Sequence, residues 1–240
     1  MNRGNPPFKR IVLEFKRGSH NAEAIQLAAE LAELFQVDLL GRFVEDSDLA
    51  QLARTPFARE FRMLEGEWRD LDSQSAARSV ELAIAAARRL FMQAVASSPV
   101  SRDFEVLRAE ASAEQRPSAQ ELVAVVQDPD TGEEIFLSRL GVSQGDTIGV
   151  LLLPRQKARH HGPIVVIAAT EDEPSVAIAA QVAAAAREMV LRLDWPPDPS
   201  WGSMANARLV VVTASRFCEI APHTTTILAG VPILILGNER

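Results

Sequence analysis

Residues 10–44 read Arg10-Ile11-Val12-Leu13-Glu14-Phe15, then Lys16-Arg17-Gly18-Ser19-His20-Asn21, then Ala22 to Phe35 (AEAIQLAAELAELF), then Gln36, then Val37-Asp38-Leu39-Leu40-Gly41-Arg42-Phe43-Val44. Five mostly apolar residues bounded by charge have the length and composition of a buried strand. The next loop offers Ser19 or Asn21 as a helix N-cap. From Ala22, Ile25, Ala28, Ala32 and Phe35 recur at three and four residues with Leu27, Leu31 and Leu34 beside them, one wide apolar helical face. Val37 to Val44 is a second strand. Strand, helix and strand with short joints form a βαβ unit, whose crossover is right-handed and whose strands are parallel. The fold class is therefore α/β with a parallel sheet.

Downstream, Asp46 to Asp72 reads as irregular, with Phe57, Phe61, Met63 and Trp68 among charges, and Ser75 to Ala96 as a long alanine- and leucine-rich helix. Arg102 to Ala109 is a third strand and Leu122 to Val126 a fourth. Thr131 to Leu140 is a short helix, and Thr147 to Leu153 is a strand closed by Pro154. The basic stretch Arg155 to His161 reads as a linker. The pattern then restarts. Pro163 to Ala168 is a strand, Glu171-Asp172-Glu173-Pro174-Ser175 suits a helix N-terminus, and Val176 to Leu193 is a helix. After the Trp195 to Trp201 loop come a strand Leu209 to Thr213, a helical stretch to Gly230 and a last strand Val231 to Leu236. The expected organisation is a first unit over 1–154, a linker over 155–162 and a second, shortened unit over 163–240 that lacks room for the middle strands and long helix of the first. A unit that short buries its surface poorly alone and is expected to pack on the first.

The chain has 240 residues, a formal charge of −7, 47% hydrophobic residues and one cysteine. Such a balance belongs to a folded globular protein. A lone Cys218 forms no intramolecular disulfide, which fits a reducing cytosol. The opening residues lack a signal-type apolar core, and no run reaches the ~18 apolar residues of a membrane span. Net acidity argues against nucleic-acid binding, although Lys9, Arg10, Lys16 and Arg17 cluster, as do Arg155, Lys157, Arg159, His160 and His161.

The opening strand, the Gly18-Ser19 loop with its helix, VDLLGRFVED, and the closing ARLVVVTAS and AGVPILILG together resemble the universal stress protein family in a tandem, degenerate arrangement. The resemblance implies a five-stranded parallel sheet flanked by helices in each unit, of the adenine nucleotide alpha hydrolase-like type. It also implies dimerisation through the last strand. In one subgroup it implies ATP, held by an acidic residue ending the first strand and a Gly-x2-Gly-x9-Gly-Ser/Thr motif after the fourth. This chain has Phe15 or Lys16 at the first place, and QDPDTGEEIFLSRLG and TASRFCEIAPHTTTILAG at the second. Glycines let backbone amides approach phosphates, so their loss argues against ATP held in that manner.

Lys16, Arg17, Gly18 and Ser19 precede a helix whose first amides favour an anion. Capping by Ser19 or Asn21 accounts for the same residue types. His160 and His161 lack a third metal ligand nearby. Cys218, Glu219, His223 and Thr224 to Thr226 include nucleophile and base types without a nucleophile-elbow or cysteine-enzyme signature. Glu133-Glu134 and Glu171-Asp172-Glu173 sit where helix starts favour negative charge. The aromatic residues of 46–72 and the tryptophans of 194–206 either form a docking surface or fold back on the core. No catalytic residues, metal or cofactor are therefore expected. The expected role is partner binding or self-association in a stress or regulatory setting in the cytoplasm, with Val231, Ile233 and Ile235 as the interface, in a homodimer or an internal pseudo-dimer. The alternative is a nucleotide- or phosphate-binding protein with a non-standard site at the carboxyl ends of the strands.

Overall fold

A computed structural model describes residues 8–16, 21–45, 52, 55, 57–63, 66–70, 73–108, 120–126, 149–154, 158–194, 206–224 and 230–237. The βαβ opening is β1 (Arg10–Phe15), α1 (Ala22–Phe35) and β2 (Asp38–Val44). Asn21 is the N-cap of α1, its side-chain oxygen accepting from the amides of Glu23 at 3.0 Å and Ala24 at 3.2 Å. The helix stops at Gln36, whose left-handed φ of 57° turns its N–H back onto the Ala32 and Glu33 carbonyls, so a short side chain at one end and a backbone reversal at the other satisfy orphan groups.

The remaining elements are β3 (Arg59–Arg62), β4 (Glu67–Asp70), α2 (Ser73–Ala94), β5 (Arg102–Leu107), β6 (Glu121–Val126), β7 (Gly149–Leu153), β8 (Ile164–Ala168), α3 (Pro174–Ala186), β9 (Val190–Asp194), β10 (Leu209–Thr213), α4 (Ala214–Thr224) and β11 (Ile233–Leu236). Two expectations need correction. The stretch Asp46 to Asp72 is not wholly irregular, since β3 and β4 pair as an antiparallel hairpin. The helix expected over Val176 to Leu193 ends at Ala186, where Arg187 takes a φ of 56°, and Val190 to Asp194 is a strand. The second half therefore has a strand directly after its first helix, where the sequence pattern predicts continued helix. The short helix expected over Thr131 to Leu140 lies outside the described residues.

Among the described residues one sheet has nine strands in the order β5-β2-β1-β6-β7-β11-β10-β8-β9. Every neighbouring pair is parallel except β7 with β11, which is antiparallel, Leu152 opposite Ile233 and Val150 opposite Ile235. The sheet is thus two parallel blocks of opposite direction joined at one seam. Helices α1, α2 and α3 share one face, packing Ile25, Phe91 and Ile178 on Ile11, Leu39, Leu151, Ile164 and Leu234. On the other face Phe217 of α4 joins Val150, Val165, Val210, Ile233 and Ile235. Gly41 makes room for an aromatic trio, because a Cβ there would lie 2.8 Å from the Phe104 ring and 3.1 Å from that of Phe91, while Phe15 packs edge-on to Phe91 at 6.0 Å.

The seam depends on Gly149. A Cβ there would lie 2.5 Å from the carbonyl oxygen of Ile235, a backbone atom that cannot swing aside. Gly149→Ala is expected to lower stability by about 1–3 kcal/mol, the usual cost of overpacking. The check is urea unfolding, where the midpoint should fall.

Candidate functional site

An open parallel sheet offers a ligand crevice where neighbouring strands send their crossovers in opposite directions, at the carboxyl ends. Each block has one such point, between β1 and β6 in the first and between β8 and β10 in the second.

In the second block Ala168 ends β8, and a five-residue loop leads into α3 through Glu173 and Pro174. Pro174 has no N–H to satisfy and suits the first helical turn. Glu173 stands at the N-cap with extended backbone, yet its carboxylate makes no cap bond to its own helix. Its Oε1 instead accepts from the Ala169 amide at 2.8 Å and from Arg216 Nη2 of α4 at 3.5 Å. Arg216 also reaches Glu219 at 3.9 Å. Arg192 of β9 donates to the Ala169 carbonyl at 3.2 Å and pairs with Glu171 at 3.3 Å and Asp194 at 3.2 Å. Thr213 and Ser215 hydroxyls are 3.2 Å apart at the exit of β10. Both arginines at this mouth are therefore matched by carboxylates, and the first loop amide after β8, that of Ala169, is taken by Glu173. Glu173 Oε2, Ser175 Oγ and Arg192 Nε are buried with no partner among the described residues.

In the first block Phe15 turns its ring into the aromatic trio and Lys16 is exposed at the strand exit. Arg17, Gly18 and Ser19, the rest of the anion-site candidate, lie outside the described residues. The opposite face of the same strands carries an ionic ladder that the sequence reading missed. Arg10 of β1 pairs with Glu121 of β6, Nε to Oε1 at 2.7 Å. Arg42 of β2 reaches Glu105 of β5 at 2.5 Å and Glu121 Oε2 at 3.5 Å. Arg42 and Glu121 are buried. Glu14 lies beside them, directly across from Arg42 in register. Burial pushes its carboxyl above the ordinary 4.5, against the pull of Arg42 and Lys16 and with a further push from Glu121. The available signal was Arg10 and Glu14 standing four apart in an otherwise apolar strand, a spacing of two strand periods that puts both on one face. On that face the second block has Val165, Ile167, Val210 and Val212.

The other sequence candidates do not converge. His160 Nδ1 lies 2.8 Å from Glu30 of α1 and His161 Nδ1 lies 3.4 Å from Glu188, so the two histidines serve different elements. Among the described residues no group of three or more His, Cys, Asp or Glu is placed to hold a metal, and no helix is long and apolar enough to cross a membrane. Cys218 is exposed, and His223 falls within α4. Glu133, Glu134, Thr225, Thr226, Trp195 and Trp201 lie outside the described residues. Val231, Ile233 and Ile235 are buried, and β11 has β7 on one side and β10 on the other. Of the two arrangements expected for Val231, Ile233 and Ile235, pairing between chains or within one chain, the structure shows β11 beside β7 of the same chain. Phe57, Phe61, Met63 and Trp68 are exposed rather than folded onto the core.

The Glu14 shift has a definite sign. A carboxyl whose pKa is raised on folding favours the folded state when protonated, and stability is lost as pH rises from the ordinary value through the folded one. Glu14→Gln should therefore be more stable than the parent at neutral pH, with the gain shrinking to nothing as pH falls below 4.5. Thermal melting of both proteins across pH 4 to 8 checks this, about the range a raised carboxyl spans.

No family model matches the sequence, and no curated protein matches it either. Solved structures do. One, described as a candidate universal stress protein of Pseudomonas aeruginosa UCBPP-PA14, is 12% identical, with 95% of this chain and 93% of that chain covered and a TM-score of 0.51. A functionally unknown protein of Pseudomonas aeruginosa PAO1 is 11% identical, with 95% and 92% covered and a TM-score of 0.50. A universal stress protein from Archaeoglobus fulgidus DSM 4304 is 10% identical, with 96% and 97% covered and a TM-score of 0.47. At these identities the likeness speaks for the architecture alone: the chain has the α/β fold of a universal stress protein.

Proposed function

We propose that this is a non-enzymatic protein of universal stress type that works by binding a protein partner or a second copy of itself, in a stress or regulatory role in the cytoplasm, without an ATP site of the family kind. The observation that carries the reading is Glu173. Its carboxylate holds the Ala169 amide and faces Arg216 in the strand-end crevice of the second block, the place a nucleotide's phosphates require free amides and unmatched cations. The sequence supports it in the first block, where Phe15 and Lys16 stand at the strand exit and the glycine motif is missing. We further read the chain as two units, 1–154 and 163–240 joined by 155–162, forming an internal pseudo-dimer. The antiparallel seam between β7 and β11 supports that reading, since a pair of like units related by a twofold axis meets antiparallel.

The alternative, a phosphate or nucleotide site at Lys16, Arg17, Gly18 and Ser19, draws support from Lys16 at the strand exit just ahead of the Asn21-capped helix. Native mass spectrometry of freshly purified protein, repeated after denaturation, separates the two. Under the leading reading no adenine nucleotide mass accompanies the folded chain, and added ATP leaves the melting temperature unchanged. A co-purifying nucleotide whose retention is lost in Lys16→Ala would overturn it in favour of the alternative.

A further inference from the structure

With β11 enclosed in its own sheet, any self-association must use another surface, and the hairpin of β3 and β4 has the chemistry for it. Its strands carry Glu60-Phe61-Arg62 and Glu67-Trp68-Arg69, the same order of acid, aromatic and base. A Glu–aromatic–Arg tripeptide is complementary to itself in antiparallel register about the aromatic. In the backbone register of the hairpin Glu60 stands opposite Arg69, Phe61 opposite Trp68 and Arg62 opposite Glu67, and within β4 Arg69 reaches Glu67 at 4.0 Å. The two rings meet with centroids 5.2 Å apart.

Among the described residues β3 and β4 pair only with each other. A two-stranded hairpin is marginal in water, and three or more strands with an apolar face are needed for independent stability. This one leaves Phe61 48%, Trp68 59%, Met63 88% and Phe57 94% exposed. Those side chains present roughly 600 Å² of aromatic and thioether surface. Strand pairing at the β4 edge shields mainly the Trp68 ring of each copy, since Phe57, Phe61 and Met63 lie outside β4.

We propose that a second copy of this chain pairs with β4 edge to edge, antiparallel and centred on Trp68. That register sets Trp68 against Trp68 of the other copy and places Glu67 opposite Arg69 twice. It extends the hairpin to four strands with one continuous aromatic stripe, Phe61, Trp68, Trp68 and Phe61. Opposite charges directly across an antiparallel pair stabilise it and like charges destabilise it. The contact is isologous, so it closes at two copies rather than growing a fibre. The proposal rests on the self-association half of the function given above.

The test is a charge exchange followed by native mass spectrometry and analytical ultracentrifugation across roughly a hundred-fold range of concentration. The parent protein should reach a dimer. Glu67→Arg and Arg69→Glu each set like charges opposite one another in their own homodimers and should weaken dimerisation by roughly ten-fold or more. Mixed in equal amounts, they should form the heterodimer, in which both pairs are again opposite in sign. A variant that had merely misfolded would not be restored by its counterpart. Trp68→Ser, which removes the ring and no charge, should also weaken the dimer. A parent dimer indifferent to all three changes, or no heterodimer in the mixture, overturns the β4 register while leaving self-association standing. A parent that is monomeric throughout overturns both, and leaves binding to a different protein as the remaining form of the proposed function.

Discussion

The close approach of two backbones at the seam, Gly149 against the carbonyl of Ile235, is the constraint on which the rest of the architecture depends. Each parallel block ends on one side in a strand whose outer hydrogen-bonding edge has to be closed, because an open apolar edge is a template for aggregation. Here β7 and β11 close each other. Leu151 and Leu153 join the helix-covered face together with Leu234 and Leu236, while Val150 and Leu152 face the other way with Ile233 and Ile235. A one-residue slip would send each strand's set to the wrong face. The antiparallel register is consequently fixed from both faces at once, and with it the placement of α1 near α3 on the same side of the sheet.

That join has an electrostatic counterpart. The second block presents valine and isoleucine on both faces of its strands, whereas the first exchanges part of one face for Arg10, Glu14, Arg42 and Glu121. A buried ion pair is weak evidence of net stability, since desolvation offsets much of the attraction. Its more defensible contribution is to pairing: Arg42 bonds Glu105 and faces Glu121, so β2, β5 and β6 are tied around β1 in one register. Glu14 sits within this ladder, and burial outweighs the pull of Arg42 and Lys16 on its titration.

Much of the fold was legible because periodicity is local. The α1 face follows from Ile25, Ala28, Ala32 and Phe35, and the strands β1, β6, β8 and β10 follow from short apolar runs bounded by turn residues. What was not legible had a physical cause in each case. Apolar residues recur past α3 as far as Leu193, and the residue that ends the helix is Arg187, a non-glycine in the left-handed region that no propensity argument would nominate. The β3–β4 hairpin has four-residue strands and a Gly66 at φ 67° without the Asn-Gly or Asp-Gly signature of a tight turn. The site was harder still. Glu173 meets Arg216 across 43 residues and Arg10 meets Glu121 across 111, separations over which sequence pattern carries no register. The acidic loop at 171–173 suits a helix N-terminus, and Glu173 stands at one, but its carboxylate serves the loop and α4 rather than the helix.

These features bear on why self-recognition would move to a hairpin. In this chain β11 of the second block lies against the outer edge of β7, so that edge is not open to another copy. The outermost strands of the sheet are β5 and β9, and each carries charge: Glu105 on β5 is engaged with Arg42, and Arg192 and Asp194 on β9 pair with one another. Charged side chains on an outer strand are a usual means of discouraging edge-to-edge association. The hairpin also carries charge, but in an order that is satisfied by a copy of itself rather than repelled by it, with its exposed aromatic residues on the alternate positions. Charge placement thus separates edges that are guarded from one that is matched, and the matched one lies in the segment between β2 and α2, away from the seam that holds the two blocks together.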